Sequence, residues 1–349
     1  MKIVHLSNTI NDAGNGITNV LVDLALEQSM QGHETTVISR GGTFEPLLVE
    51  HGVRLRYLDF TSRAPYSLFR SRAKLAAALS EVAPDIVHCH TLTPVALAST
   101  LRWRPPLVAT VHNEWQRGVR LMARADAVVG VSSAVSKAMQ QRGVNPGRLH
   151  TVLNGVTGTL RRPTTPSRSG AQFPPRAIVS VGSVSPRKGS DILIDAFSLL
   201  APRHPELALY FVGKVDWPQA VERSTRSGFG ERIKFVGLAP DPRVYLSEDA
   251  IFALPSRKEP LGLAFLEAHE SGVPCVGTDI DGIPEALANG RAGLLVPPED
   301  ATSLAEAIEQ LLESPRLRES LKAEGVRLSR ERTTHAMAAR YIELYRTLR

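Results

Sequence analysis

Short runs rich in valine and isoleucine alternate with longer helix-like segments along the whole chain, and this alternation constrains the fold most strongly. Continuous apolar runs are typical of parallel strands, because helices cover both faces of such a sheet. The chain is therefore predicted to be an α/β protein. The predicted strands fall into two series, at residues 2–7, 35–39, 53–58, 85–90, 107–111, 127–131 and 149–153, then at 177–181, 207–212, 233–236, 250–254, 274–277 and 293–296.

A polar stretch rich in proline, serine and glycine separates the two series, at residues 158–175. Such a composition is typical of a domain boundary, and 349 residues give room for two domains. We predict two doubly wound, Rossmann-like domains that face each other across a cleft, with residues 1–160 in the first, a linker over 161–175, and 176–333 in the second. Ligands of such sheets bind beyond the carboxyl ends of the strands.

Composition excludes several other classes of protein. The two cysteines, Cys89 and Cys275, each lie in an apolar stretch, which argues against a disulfide framework and against a zinc site of several cysteines. No apolar run reaches the roughly 18–20 residues that a spanning helix needs. The opening residues lack the anatomy of a signal peptide. We expect a soluble, cytoplasmic protein.

Positive charge is concentrated in the first half of the chain. The net charge is +6, of which residues 1–165 carry +7 and residues 166–349 carry −1. A basic half can attract nucleic acid, an anionic membrane surface or an anionic substrate, and charge alone is compatible with all three.

The densest group of polar residues follows the predicted strand at 250–254. Glu259 lies in the loop after that strand, and Glu267 lies in the second turn of a helix that begins around Gly262. The backbone amides at a helix start lack helical partners and can bind an anion. One carboxylate could then accept hydroxyls of a sugar and the other those of a ribose. Taken alone, two such glutamates are more often solvated surface residues.

The neighbouring residues match a known pattern. The segment Pro-Ser-x-x-Glu-x-x-Gly-x4-Glu-Ala, here at residues 255–268, resembles the retaining family 4 glycosyltransferases (glycosyl transferases group 1) of GT-B fold, whose Glu-x7-Glu motif it contains. Further matches follow the family's order along the chain, at residues 110–112, 131–133, 154–156, 181–189, 282–285 and 293–297. The resemblance also implies that the closing helix, residues 334–349, crosses back onto the first domain.

The resemblance assigns residues around the donor diphosphate. It places Lys188 and Arg187 in a phosphate-binding loop and adds the amides of Gly262 and Leu263. Ser183 is a departure, because the family usually has arginine there. Either Arg187 supplies the missing charge from another loop position, or the donor is held more weakly.

The first domain contributes a glycine-containing loop. Asn15 lies between Gly14 and Gly16, in the loop before the first helix, and this loop is not a dinucleotide fingerprint. In the family the loop closes over the donor diphosphate and borders the acceptor. The resemblance therefore assigns the two glycines to the donor and Asn15 to the acceptor side.

Histidines follow two predicted strands of the first domain. The resemblance makes His112 a catalytic residue that faces the transferred sugar, where it either accepts or donates a hydrogen bond, and it places His90 beside the acceptor. His88 and His90 share one strand face, which raises the question of a metal site. No third ligand lies nearby in the sequence, and the family needs no metal, so we expect none.

The implied function is retaining transfer of a hexose-type sugar from a nucleotide diphosphate, with UDP most expected, to a hydroxyl of a glycan, lipid-linked or small-molecule acceptor. No cofactor is expected. In this interpretation Glu259, Lys188 and His112 are catalytic, and Glu267 orients the ribose. Attack on the same face lets the leaving phosphate help to take the acceptor proton.

Four other functions are considered. A sugar-nucleotide epimerase could share the architecture, whereas a retaining phosphorylase would need pyridoxal phosphate and a longer chain. A nicotinamide-dependent oxidoreductase would need the dinucleotide fingerprint that is absent. A non-enzymatic nucleotide- or polyanion-binding protein would use the basic half, although no nucleic acid partner is expected.

A predicted helix over residues 66–79 combines apolar and basic residues, among them Phe69 and Arg70. Such a helix can lie on an anionic membrane, so the protein could associate peripherally with the inner face of the cell membrane. A solvated helix that covers the sheet is at least as good an interpretation.

Overall fold

A computed structural model describes residues 1–11, 14, 16–62, 64–102, 104–163 and 176–349. Contacts among these residues divide the chain into two units. The first unit contains Met1–Arg161 together with Thr333–Arg349, and the second contains Arg162–Arg332. The predicted linker at 161–175 lies outside the described residues from 164 onward, so its extent stays a prediction.

The first unit is built on a parallel sheet of seven strands in the order β3-β2-β1-β4-β5-β6-β7. Val, Ile and Leu fill its central strands, and β5 is buried along its whole length because helices cover both faces. The strands are β1 Lys2–Leu6, β2 Glu34–Ser39, β3 Arg54–Tyr57, β4 Ile86–Cys89, β5 Leu107–Val111, β6 Ala127–Gly130 and β7 Leu149–Thr151. The helices are α1 Gly16–Met30, α2 Glu45–Glu50, α3 Pro65–Val82, α4 Leu92–Ala98 and α5 Ser133–Gln141, with 3-10 turns at Val119–Arg124 and Pro146–Arg148.

The second unit has a parallel sheet of six strands in the order β10-β9-β8-β11-β12-β13. Its strands are β8 Ala177–Val181, β9 Ala208–Val212, β10 Ile233–Gly237, β11 Ile251–Leu254, β12 Cys275–Thr278 and β13 Leu294–Val296. Its helices are α6 Ser190–Leu200, α7 Gln219–Arg226, α8 Leu263–Glu270, α9 Ile283–Ala286, α10 Ala301–Glu313 and α11 Pro315–Glu331, with 3-10 turns at Pro186–Lys188, Gly230–Arg232, Pro242–Tyr245 and Ala288–Gly290.

The last helix, α12 (Thr334–Thr347), belongs to the first unit and packs against α1. The side chain of Thr333 caps it by accepting the Ala336 N–H at 3.0 Å. Tyr341 and Tyr345 on this helix are fully buried. Burial of an aromatic side chain contributes roughly 1.5–3 kcal/mol, which ties the end of the chain to the first sheet.

The predicted α/β fold of two doubly wound, Rossmann-like domains with a returning C-terminal helix is confirmed. All the predicted strands form, with ends that agree or differ by at most two residues. The helix expected around Gly262 begins one residue later, at Leu263, because Gly262 is left-handed with φ +90°. The helix predicted over residues 66–79 extends over Pro65–Val82.

Both cysteines are buried and unpaired. Burial raises the pKa of each thiol, so neither is a reactive thiolate. Within the described ranges, no helix combines the length and apolar character needed to cross a membrane.

Candidate functional site

In the second unit, the loops that follow β8 and β11 are in contact. The Arg257 N–H donates to the Arg187 carbonyl at 2.8 Å. Gly189 sits against the same loop, with φ +67°, and a Cβ there would lie 1.9 Å from the Pro255 carbonyl oxygen. Only glycine allows this close approach, which brings the two loops together at the carboxyl ends of neighbouring strands.

Lys188 and Glu259, which are 71 residues apart in sequence, meet where these loops touch. The Lys188 Nζ lies 2.5 Å from Glu259 Oε2, and Arg187 Nη1 lies 3.6 Å from the same oxygen. Glu259 is 7% exposed, and its N–H donates to Asp281 Oδ2 at 3.0 Å. A buried carboxylate is stable beside two cations, and the same cations are able to bind a phosphate group.

Arg187 also donates to the Lys258 carbonyl at 2.9 Å, which holds its guanidinium beside Glu259. Ser183 lies in the same loop as these cations, and its Oγ is 3.4 Å from Ser185 Oγ. The position where the family usually has arginine therefore carries a small hydroxyl, while Arg187 supplies a guanidinium close by. This arrangement favours the interpretation in which Arg187 supplies the charge.

A salt-bridged arginine stabilises the loop that carries Glu259. Arg257 donates to both carboxylate oxygens of Asp191 at 2.8 and 2.7 Å and also pairs with Glu299. Hydrogen bonds that Arg257 donates to Asp191 and Glu299 raise the pKa of Arg257, so it remains charged. Burial opposes ionisation of Asp191, yet the Arg257 hydrogen bonds and charge hold the pKa of this carboxyl below its usual value.

The helix start predicted to bind the donor is formed as expected. A Cβ at Gly262 would lie 2.6 Å from the Phe265 ring, so a larger residue would displace that ring. Leu263 is the first residue of α8, and it therefore carries one of the amides that have no partner within the helix. The amides of this turn are chemically suited to an anion, and their role toward a donor stays a prediction.

Glu267, on the second turn of α8, pairs with an arginine that the sequence analysis did not single out. Arg162 Nη1 lies 3.2 Å from Glu267 Oε1, and Arg162 Nη2 lies 3.7 Å from Glu270 Oε2. Only 4% of the Arg162 side chain is exposed. Burial raises the pKa of Glu270, although the positive charges of Arg162 and Arg243 act in the opposite direction. Arg162 therefore holds the Glu267 carboxylate in place from the start of the second unit.

In the first unit, His112 follows β5 at the carboxyl end of the sheet and is 9% exposed. Its Nε2 lies 3.3 Å from His90 Nδ1. Burial lowers the pKa of His112 to about 3, so the ring is neutral at pH 7. A neutral imidazole can donate one hydrogen bond and accept another, which suits contact with a hydroxyl group.

His90 is buried, and protein partners occupy both of its ring nitrogens. Its Nε2 lies 3.1 Å from His5 Nδ1, and its Nδ1 faces His112. The predicted place of His90 beside the acceptor stays a prediction, and any effect of His90 on a ligand would pass through His112.

The sheet supplies the third imidazole that is missing from the neighbouring sequence. His5 on β1 is paired in register with His88 on β4. Among the described residues, donor atoms of His5, His88 and His90 lie within 4.8 Å of one another, close enough to share a metal ion. Hydrogen bonds occupy these ring nitrogens, so an ion would have to replace them. The doubly wound strand order, which puts β1 beside β4, is the signal that could have identified His5.

The glycine-containing loop of the first unit is described only in part. Gly14 is exposed with φ +63°, and Gly16 is the first residue of α1. Asn15 lies outside the described residues. The predicted contact of this loop with a donor therefore stays a prediction.

Comparisons with known proteins agree with both units. Residues 14–157 match the family described as Glycosyltransferase Family 4, and residues 175–314 match the family described as Glycosyl transferases group 1. A D-inositol 3-phosphate glycosyltransferase of Actinosynnema mirum is 29% identical, over 95% of this chain and 92% of the relative. One of Frankia alni with the same name is 27% identical over 90% of both chains.

Solved structures share the architecture over the whole chain. The crystal structure of Anabaena Alr3699/HepE in complex with UDP and glucose has a TM-score of 0.84 at 22% identity, and covers all of both chains. Sucrose-phosphate synthase from Thermosynechococcus elongatus has a TM-score of 0.81 at 22% identity, over 100% of this chain and 99% of the other. At this identity the likeness concerns the fold, which is that of GT-B proteins.

Proposed function

This chain belongs to the family 4 glycosyltransferases of GT-B fold, and we propose that it transfers a hexose-type sugar from a UDP-sugar to an acceptor hydroxyl with retention of configuration. In this proposal the reaction needs neither a metal ion nor another cofactor. The observation that carries it is the meeting of Lys188 and Glu259 at the carboxyl ends of β8 and β11.

The chemical requirement is to stabilise a departing diphosphate and a sugar that develops positive charge. Lys188, Arg187 and the amides at Gly262 and Leu263 supply positive charge and N–H donors for the diphosphate. Loss of one donor of this kind costs on the order of 3 kcal/mol of transition-state stabilisation. Glu259, which compensates Lys188 when no donor is bound, orients hydroxyls of the transferred sugar.

The remaining predicted residues complete the proposal. Glu267, held by Arg162, accepts hydroxyls of the ribose. Gly14 and Gly16 close over the diphosphate, and Asn15 borders the acceptor with His90. The leaving phosphate takes the acceptor proton on the same face of the sugar.

The choice of UDP has support from a structural neighbour. HepE was crystallised with UDP and with UDP-glucose. Several relatives are named for D-inositol 3-phosphate, which is a small phosphorylated polyol. We propose a UDP-hexose as donor and, as acceptor, a hydroxyl of a glycan, a lipid-linked glycan or a small polyol of this kind.

Thermal unfolding with UDP, GDP, ADP, CDP and dTDP, each with and without EDTA, tests the donor. Ligand at a hundred times its Kd adds about 2.7 kcal/mol of stability, which gives a measurable shift in Tm. We expect UDP to stabilise most, with no effect of EDTA. A shift with another diphosphate, or one that EDTA abolishes, would contradict this part of the proposal.

Product analysis tests the reaction. Incubation of a UDP-hexose with a panel of polyol and glycan acceptors should release UDP and give a product whose anomeric NMR coupling matches that of the donor. Inversion would overturn the retaining mechanism. Isomerisation of the donor without acceptor would identify an epimerase, and tight nucleic acid binding without turnover would identify a polyanion-binding protein.

An exposed surface of α3 favours membrane association at the cytoplasmic face. Tyr66 and Phe69 are 71% and 68% exposed, Arg70 lies 5.7 Å from the centre of the Tyr66 ring, and Lys74 is exposed. Aromatic rings beside cations suit the interface of an anionic bilayer. We propose that this surface binds such a membrane.

Sedimentation with vesicles that contain phosphatidylserine tests the membrane surface. The double variant Tyr66→Ser, Phe69→Ser should bind less than the unmodified protein. Leu238→Ser, which changes an exposed apolar residue of the second unit, is the matched control. Equal binding of the two variants would reject the surface.

A further inference from the structure

A chain of buried hydrogen bonds leads from His112 to Gln28. His112 Nε2 lies 3.3 Å from His90 Nδ1, His90 Nε2 lies 3.1 Å from His5 Nδ1, and His5 Nε2 lies 2.8 Å from the Gln28 side-chain oxygen Oε1. His5, His90 and Gln28 are each at most 1% exposed. Water therefore does not replace these bonds.

Each imidazole in the chain is neutral. Burial lowers the pKa of His5 to about 4, that of His112 to about 3, and that of His90 well below its usual value. A neutral imidazole carries one N–H and one lone pair, so the role of one nitrogen fixes the role of the other. Hydrogen bonding at one end therefore determines the direction along the whole chain.

The direction is set at Gln28, whose Oε1 can only accept. His5 Nε2 must donate to it, so His5 Nδ1 accepts from His90 Nε2–H. His90 Nδ1 then accepts from His112 Nε2–H, which leaves Nδ1 of His112 with its lone pair. Within the described part of the chain, no hydrogen-bond partner faces this nitrogen.

The last helix supplies the partner of the Gln28 amide nitrogen. Gln28 Nε2 donates to the Tyr345 hydroxyl at 3.5 Å, and that hydroxyl lies 2.6 Å from His88 Nδ1. His88 Nε2 lies 2.7 Å from Thr110 Oγ1. In the orientation of the structure, Gln28 Nε2 donates to Tyr345 and Oε1 accepts from His5, so each polar atom of the amide has a partner.

We propose that Gln28, His5 and His90 are positioning residues that hold His112 as its Nε2–H tautomer, so that its Nδ1 accepts a hydrogen bond from a hydroxyl of the bound sugar. This inference rests on the proposed function, because it takes the ligand of His112 to be a sugar. It decides between the two roles that remained open for His112, since the nitrogen that meets the ligand accepts and does not donate. Tyr345 on α12 thereby affects a ligand that it does not touch.

Long-range ¹H–¹⁵N NMR of the full chain labelled at histidine tests the tautomer directly, since protonated and unprotonated ring nitrogens resonate separately. The His112→Asn variant assigns the signals. We expect Nδ1 of His112 to be unprotonated in the unmodified protein. A protonated Nδ1 would overturn the proposal.

Two matched tyrosine variants test the positioning role. Tyr345→Phe removes the hydroxyl that Gln28 contacts, whereas Tyr341→Phe removes a buried hydroxyl of the same helix whose contact is Thr110 at 2.9 Å. We expect Tyr345→Phe to give a mixture of His112 tautomers and to lower kcat/KM about tenfold, the effect of one hydrogen bond. Tyr341→Phe should keep the tautomer. It should change kcat/KM by less than about twofold, which is well below the effect of losing one hydrogen bond.

Gln28→Leu should reproduce the effect of Tyr345→Phe, because it removes the acceptor at the end of the chain. Equal behaviour of the two tyrosine variants, in the spectrum and in kcat/KM, would overturn the proposal. If the unmodified protein shows the expected tautomer but transfers no sugar from any UDP-hexose, the hydrogen-bond chain stands and the proposed function fails.

Discussion

The two units place polar side chains at the carboxyl ends of similar parallel sheets, but with opposite electrostatics. In the first unit, the buried residues His5, His88, His90 and His112 are uncharged at neutral pH. In the second unit, cations pair with carboxylates, as in the contacts of Lys188 with Glu259 and of Arg162 with Glu267.

The difference teaches what each arrangement can do. A charged pair stabilises a developing charge and attracts an ionic ligand. It does not, however, determine which atom of a neighbouring group carries a proton. A chain of neutral hydrogen-bonded groups attracts no ion. The donor and acceptor in each of its hydrogen bonds, however, determine the donor and acceptor in the next one. The second unit is therefore suited to a diphosphate, and the first to the hydroxyls of a sugar.

Arg162→Met should have the largest effect, because it removes the buried cation that pairs with Glu267 and lies beside Glu270. We expect the second unit to lose about 3–5 kcal/mol of unfolding free energy. Urea unfolding read from Trp217, in a variant that keeps only this tryptophan, measures the loss. The exposed pairs of Arg327 make Arg327→Met a control that should cost at most about 1 kcal/mol.

A loss below about 1 kcal/mol for Arg162→Met would show that the charges of the second unit are solvated and not buried. The contrast with the first unit would then disappear.

Lys188→Ala should come next, and should affect catalysis more than folding. In the proposed function Lys188 faces the diphosphate, so its removal is expected to lower kcat by about 10²–10³, because the transition-state charge loses a donor. Steady-state release of UDP, with circular dichroism to verify folding, measures this. Lys234→Ala, an exposed lysine on the edge strand β10, serves as control. Near-normal turnover in Lys188→Ala would reject the donor site.

Because the buried histidines of the first unit are neutral, we predict that acid destabilises this unit. The unfolded histidines titrate near pH 6.5, whereas the pKa values of His5 and His112 are about 4 and about 3 when folded. Between these pH values the unfolded state binds more protons than the folded state. The stability that the neutral histidines contribute is therefore fully present above pH 6.5 and is lost as pH falls toward 4. Each such proton lowers the free energy of unfolding by about 1.4 kcal/mol per pH unit.

Urea unfolding at pH 7.5, 6.5 and 5.5, read from Trp115 in a variant without the other tryptophans, measures this slope. His5→Phe should reduce it by about one proton. An unchanged slope would mean that His5 is protonated in the folded protein, which would remove the basis of the comparison.

Thr333→Ala should have the smallest effect. It removes the cap of α12 and should cost about 1 kcal/mol in the first unit, with no change in the second. Unfolding curves from the same two single-tryptophan proteins measure this. A larger loss at Trp217 than at Trp115 would contradict the assignment of α12 to the first unit.

The sequence predicts the two sheets well because each strand is a continuous apolar run bounded by helix-like segments. The resemblance to family 4 glycosyltransferases singles out Lys188 and Glu259, whose motifs lie in loops directly after strands, and the structure brings these two side chains together. The sequence does not identify Arg162, which lies within the polar stretch at residues 158–175 and meets α8 only in the folded second unit.

The chain of hydrogen bonds from His112 to Gln28 could not be predicted from the sequence, for a related reason. His5, Gln28, His90 and Tyr345 lie on β1, α1, the end of β4 and α12, and only the order of the strands brings them together. The expectation that His88 and His90 lack a third imidazole counted sequence neighbours, whereas β1 and β4 are neighbours in the sheet.

The direction of the hydrogen bonds from Gln28 to His112 also has an evolutionary consequence. A mutation that removes one member leaves a buried donor or acceptor of its neighbour unpaired, so intermediates between two working sets are disfavoured. We therefore expect the residues at positions 5, 28, 90 and 345 to be conserved together or replaced together along a lineage. The strand β1 and the helix α12, which lie far apart in the sequence, would then share one history.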